Sequence, residues 1–253
     1  MRKSKIVALA ILFLAVAAAA QTTNGLSEAE IKGRELAQKI LEQKPTVNAV
    51  QTGILKIQDA KGISTNLFLK CRIITDGTNW VSYYVVSPTN SFSIFTRLEV
   101  NHGNNTNRYA LYYCCDGNWD ESCLCGINLV ININTSFVNS DFWLCDLGLE
   151  FFHWPEQKVL KHEFRRTRGC DVLRSTNPDP SPEGYSRVVS WIDDETLGIV
   201  HAEAYDANGK LLKVFDPKEF KKVNGQWQLQ EMEIRNVQTG SRTWMEFDLP
   251  QEK

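Results

Sequence analysis

Proline, histidine and methionine are scarce in this 253-residue sequence, at eight, four and three, and neither sign of charge dominates, since the net charge is −2. So few prolines beside 43% hydrophobic and 10% aromatic residues exclude a collagen-like or disordered chain. No stripe of Lys and Arg with interleaved aromatics occurs, which excludes a strongly basic nucleic-acid binder. Also missing are HExxH, G-x-S-x-G and S-x-x-K signatures, and any glycine loop able to cradle a phosphate. His102, His153, His162 and His201 are never four apart, so no helical face offers a paired-imidazole metal site. Carboxylates are plentiful, as in Asp193-Asp194-Glu195 and Glu231-Met232-Glu233, but they fall at turns or on alternating strand faces, where a solvated surface explains them. The sequence gives no support to enzymatic chemistry, a cofactor or a metal. A hydrolase built on His201 or His162 is the alternative from that class.

Long apolar runs are missing too, with one exception. Ile6 to Ala20 is unbroken and follows three cations, Arg2, Lys3 and Lys5. A bilayer-spanning helix needs about 20 apolar residues, so this run is short for an anchor and fits a secretory signal peptide. Ala18 and Ala20 supply an A-x-A cleavage site, which places the cut between Ala20 and Gln21 and leaves 21–253 as one domain. An uncleaved anchor is the alternative. No cysteine follows the run, which argues against lipidation at the cut. Export would expose the chain to an oxidising compartment, and its seven cysteines are an odd number, so at least one stays unpaired. Cys114, Cys115, Cys123 and Cys125 flank DGNWDES and suit a local disulfide closing a hairpin. Their spacings do not match C-x2-C zinc knuckles.

What the chain does have is one long helix and many strands. Helical spacing over Leu26 to Lys44 follows Ser27, which with Glu30 forms a capping box, and Leu26 with Ile31 fits a hydrophobic staple. Pro45 ends it. From Thr46 onward the pattern is extended runs punctuated by Asx-Gly turns, predicting strands at 47–58, 63–75, 79–87, 91–100, 106–115, 127–134, 157–167, 169–176, 185–193, 198–206, 210–216, 226–236 and 242–249. Between the sixth and seventh, SDFWLCDLGLEFFHW is too apolar for a free loop and reads as a short helix from Asp141. So many strands with so few covering elements predict an α+β fold, mainly β: a strongly curved antiparallel sheet covered by the N-terminal helix and the short central one. Its apolar interior is either a solid core or a cavity. Leu67, Leu69, Tyr84, Phe95, Trp191 and Tyr205, large apolar residues in strand interiors, are the candidates to line it.

The C-terminal half adds a resemblance. Tyr185 to Leu249 runs through a strand ending W-I-D, a strand reaching Y-D before a Gly turn, N-G-x-W, the strand M-x-I-x-N, a T-G turn and a final strand. Ser140 to Pro155 carries D-F-x-x-x-D-L before the central strands. This order resembles the outer membrane lipoprotein-sorting protein family. The resemblance implies the incompletely closed antiparallel barrel with a helical lid found in periplasmic lipoprotein carriers of the LolA and LolB type. It further implies a monomeric periplasmic carrier without cofactor or nucleic acid, holding an acylated lipoprotein or other lipid ligand and meeting a membrane-bound donor or acceptor. No single ligand-contacting residue transfers from it. A sensor domain of the same fold, reporting lipid or envelope protein to a partner, is the alternative function. A fully packed interior is a further one.

Overall fold

The computed structural model describes residues 25–90, 95–114, 127–129, 132–223 and 226–250. The segment 1–20 with the Ala20–Gln21 junction lies outside the described residues, as do Cys115, Cys123, Cys125 and the side chain of Cys114.

The first element of the described residues is helix α1 (Glu28–Leu41). Its start is fixed by Glu30, whose Oε2 accepts from the Ser27 backbone N–H at 2.8 Å and from the Ser27 hydroxyl at 2.6 Å. Leu26 and Ile31, read as a staple, are both exposed. Five strands follow: β1 (Ala49–Gln58), β2 (Ser64–Thr75), β3 (Trp80–Pro88), β4 (Phe95–His102) and β5 (Arg108–Cys114). A short β6 (Ile127–Leu129) precedes the central segment, which holds α2 (Leu144–Leu147) and a single 3-10 turn (Glu150–His153). Seven strands complete the chain: β7 (Glu156–Arg165), β8 (Arg168–Thr176), β9 (Tyr185–Asp193), β10 (Ile199–Asp206), β11 (Leu211–Val223), β12 (Gln226–Asn236) and β13 (Arg242–Phe247). Among the described residues no helix is long and apolar enough to cross a membrane.

All thirteen strands form one antiparallel sheet in the order β6-β5-β4-β3-β2-β1-β13-β12-β11-β10-β9-β8-β7. Every neighbour is also a sequence neighbour except one pair, β1 with β13, where Leu55 faces Met245 and Gly53 faces Phe247. Four hairpin turns share one device. Asp59, Asp76, Asp206 and Asn236 each accept two backbone N–H groups through the side-chain oxygen, and Gly62, Gly77, Gly209 and Gly240 supply the positive φ. Thirteen twisted strands cannot stay flat. The sheet curves into an unclosed barrel, and residues from its two distant halves line one space on the inner face.

Period-two alternation divides the apolar residues between the faces. On the inner face Leu55, Leu69, Val86, Leu98, Val100, Ile234 and Met245 pack on Phe137, Phe142, Leu144 and Leu147 of the central segment. A second inner cluster joins Val159, Leu173, Tyr185, Val188 and Ile192 to Phe151, Phe152 and to Leu36 and Ala37 of α1. The central segment therefore bridges both halves of the sheet. The outer face carries two smaller clusters of its own, one around Phe95 and Tyr112, the other around Val172 and Trp191.

Candidate functional site

Where the two halves curve toward each other, the inner face leaves a cavity of about 270 Å³. Its walls come from β2–β4 on one side (Ile73, Tyr84) and from β9–β12 on the other (Val188, Ala202, Phe215, Met232), with Phe142, Leu147 and Phe151 of the central segment above them. Small residues keep it open: Ala202 and Ala204 occupy successive inward positions of β10, where larger side chains would fill the space. Trp80, His102, Leu149, Ile199 and Phe215 line both this cavity and a wider vestibule of about 780 Å³, so they form the throat between the two. A further pocket of about 330 Å³ adjoins at Ile73, Ser82, Tyr84 and Met232.

The C-terminal end of α1 and the residues just after it line the vestibule. Gln43 Nε2 donates to the Thr196 carbonyl, in the β9–β10 turn, at 3.0 Å, and Lys44 Nζ donates to the Thr78 carbonyl, in the β2–β3 turn, at 2.9 Å. These turns belong to opposite halves of the sheet. The other end of α1 is held differently. Gly33 sits so close to β7 that a Cβ there would lie 2.5 Å from the Lys158 nitrogen, and Lys32 pairs with Asp171 at 2.9 Å.

Polar groups sit at the two ends of the cavity. At the throat, the His102 ring stacks on Trp80 with centroids 3.4 Å apart, and its Nε2 lies 3.0 Å from Ser82 Oγ. Burial holds the His102 pKa down, to about 4, and the nearby His153 acts in the same direction. At the far end, Lys213 Nζ is 3.5 Å from Asp146 Oδ2 and 3.6 Å from the centroid of the Trp143 ring. Asp146 Oδ2 accepts from the Tyr185 hydroxyl at 3.1 Å and from the Trp143 backbone N–H at 2.8 Å. Burial raises the carboxyl pKa of Asp146 and lowers the ammonium pKa of Lys213, each opposed by the charge of the other. Above the cavity, Glu150 fixes the 3-10 turn by accepting from Thr106 Oγ1 at 2.6 Å and from the Tyr109 hydroxyl at 3.0 Å.

Of the six residues expected to line an interior, Leu67, Leu69 and Tyr84 lie on the inner face. Leu69 is fully buried in the core and Leu67 packs against it. Tyr84 lines the cavity and donates its hydroxyl to the Leu147 carbonyl at 3.1 Å; burial raises its pKa. Phe95, Trp191 and Tyr205 lie on the outer face, in or against its clusters. Strand-interior position does not distinguish faces: a residue one place along points the other way. Lys213, Asp146, Tyr185 and His102 were not among the candidates. A lysine in a strand reads as solvated surface, and only the pairing of β10 with β11 places it inside.

The two histidines considered for hydrolysis lie away from this cavity. His201 is buried on the outer face between two carboxylates, with Nδ1 2.7 Å from Asp216 and Nε2 3.5 Å from Glu203. His162 is exposed on β7, 2.8 Å from Asp194. With Asp171 these two place three potential metal-ligand atoms within 4.8 Å of one another. Lys32 already supplies a cation to Asp171, so the group makes a complete surface ion-pair cluster. Cys71, Cys145 and Cys170 are free thiols.

Comparison with known proteins places the fold. A family model described as an uncharacterized protein matches residues 127–251. No curated protein matches the sequence. Among solved structures, a DUF1329 family protein from Desulfovibrio piger superposes with a TM-score of 0.68 at 18% identity, covering 88% of this chain and 92% of its own. An outer membrane lipoprotein-sorting protein domain from Vibrio parahaemolyticus gives 0.68 at 20% identity, over 88% and 95%. A LolA superfamily protein from Nitrosomonas europaea gives 0.57 at 14%, over 88% and 96%. The chain has the LolA-like fold that these proteins share.

Proposed function

We propose that this protein is a non-enzymatic periplasmic carrier that holds the acyl chain of a lipoprotein or of another amphiphile within its curved sheet. One observation carries this reading: an apolar cavity between the two halves of the sheet that opens through a throat into a vestibule bordered by the end of α1 and the residues that follow it. Each methylene moved from water into such a space contributes about 0.8 kcal/mol, so a chain can be held outside a membrane and still be surrendered to a competing apolar site. The likeness to a lipoprotein-sorting domain and to a LolA superfamily protein supports a carrier role, and the former supports a periplasmic setting. The export signature of residues 1–20 supports the same compartment. The positions of His201 and His162, outside the cavity, support a role without catalysis.

Uptake of a fluorescent fatty acid tests the proposal. Wild-type protein should bind it saturably, and Ala202→Trp, which fills the inner cavity from β10, should weaken binding at least tenfold without lowering the melting temperature. Wild-type protein that takes up no probe, and that repeatedly leaves its native periplasm free of lipid or acylated peptide by native mass spectrometry, would sink the carrier role.

A further inference from the structure

The cavity has apolar walls and a charged floor. Beyond the throat it is lined by Lys213, Asp146 and Tyr185, none of which borders the vestibule. β10 and β11 make this floor: Ala204 faces Lys213 across the ladder, so the lysine leads inward at the position where the alanine leaves room. The two charges are unequally served. Asp146 Oδ2 accepts from the Tyr185 hydroxyl and the Trp143 N–H, both within 3.1 Å. Lys213 carries three donors, and among the described residues its one oxygen partner is Asp146 Oδ2 at 3.5 Å. Otherwise the ammonium faces the rings of Trp143 at 3.6 Å and Tyr185 at 5.2 Å. These aromatic faces meet its charge but accept no full hydrogen bond. Only 2% of the Lys213 side chain is exposed.

We propose that Lys213 is an anchor for a neutral oxygen acceptor, the carbonyl of an ester or amide on the inward end of a single acyl chain. The inference rests on the carrier reading and narrows it. Lys213 and Asp146 already balance one another, so a free carboxylate entering here would place a second negative charge beside Asp146 in an apolar space, which is costly. Burial raises the Asp146 carboxyl pKa even with Lys213 opposing it, as expected where a negative charge is removed from water. A methyl end would leave the lysine donors unused. A carbonyl oxygen uses them at no cost in charge. The inward end must also be small, since the inner cavity is about 270 Å³. Its tail then runs back through the throat into the vestibule. Between the two cargoes of the carrier, this orientation favours the small amphiphile over a lipoprotein, whose chains would enter methyl-first.

Displacement of a fluorescent acyl probe by four ligands of one chain length tests this: dodecane, methyl dodecanoate, dodecanamide and, at pH 8, dodecanoate. The comparison protein carries Lys213→Met with Asp146→Leu, which removes the pair without stranding either charge, and its melting temperature checks the fold. Wild-type protein should bind the ester and the amide at least tenfold more tightly than dodecane or dodecanoate. Hydrophobicity alone ranks dodecane above the ester, so this order cannot arise from partitioning. In the double variant the gap between ester and dodecane should vanish while dodecane binding persists. Equal binding of ester and dodecane by wild-type protein, or a gap that survives in the double variant, overturns the inference and leaves the carrier standing. Failure of all four to displace the probe overturns both. Should the double variant not fold, the wild-type ranking alone still decides.

Discussion

A single imidazole at the throat makes stability respond to pH. His102 titrates near 6.5 in an unfolded chain and is held at about 4 by burial in the fold. Its contribution is therefore fully present above pH 6.5 and is lost as pH falls through 4, because the unfolded chain takes up the proton first. One pKa unit is about 1.4 kcal/mol, so the loss approaches about 3 kcal/mol. His153, whose pKa burial also lowers, adds to it, with Glu150 opposing. Urea unfolding at pH 7 and pH 4 should show a smaller stability difference for His102→Phe, which keeps the ring on Trp80, than for wild type. Equal differences would show that the throat does not carry the effect. Single residues are also where the sequence was least legible. Tyr84 and Phe95 are alike in size and strand placement, yet one faces the cavity and the other lies on the outer face, and only register tells them apart. Lys213 was invisible for a simpler reason: its burial depends on Asp146, 67 positions away in the chain.

Elements were read more easily, because alternation and Asx-Gly turns act locally. Each of the thirteen expected runs contains a strand. β11 differs most: it was expected to stop at 216, yet it continues through Pro217, which has no N–H to donate, to Val223. Two register shifts beside Glu219 let the ladder absorb the proline. The central segment was expected to be one helix from Asp141. It is two short pieces broken at Leu149, whose φ of 52° is left-handed, and this break turns Glu150 toward Thr106 and Tyr109. The N-terminal helix depends on a close approach that spacing could not foretell. In Gly33→Ala the new methyl would press on the β7 backbone, which cannot yield as a flexible side chain would. Overpacking of this kind costs about 1–3 kcal/mol, against about 1 kcal/mol gained in helix propensity. Amide exchange by mass spectrometry should be faster across α1 in this variant and unchanged in β1–β5. Full protection of α1 would contradict this docking.

At the scale of the whole molecule, one strand pairing decides whether there is a single sheet. Among the described strands only β1 and β13 pair across a long stretch of sequence, and they bind the two halves edge to edge. Removing 240–253 deletes β13, leaving two new open edges, on β1 and β12. Exposed edges of this length invite pairing between molecules, so the truncated chain should sediment as large aggregates where the full chain stays dispersed. A soluble, cooperatively melting truncation would show that the central segment alone can hold the halves together. The curvature that makes the cavity was legible only as a requirement on many strands with little cover. Its location at the Ala202 and Ala204 positions was not, because alanine in a strand carries no signal of its own.

The two contacts that tether the end of α1 have a consequence for exchange. Gln43 to Thr196 and Lys44 to Thr78 are exposed hydrogen bonds, each worth roughly 0.5–1.5 kcal/mol net. Together they contribute about 1–3 kcal/mol to holding this end, beside the packing of Ile40 and Leu41 against the second inner cluster. Gly33, by contrast, sits flush on β7. On the carrier reading proposed above, the time an occupant stays is set both by its grip in the cavity and by how firmly this end of the helix is held.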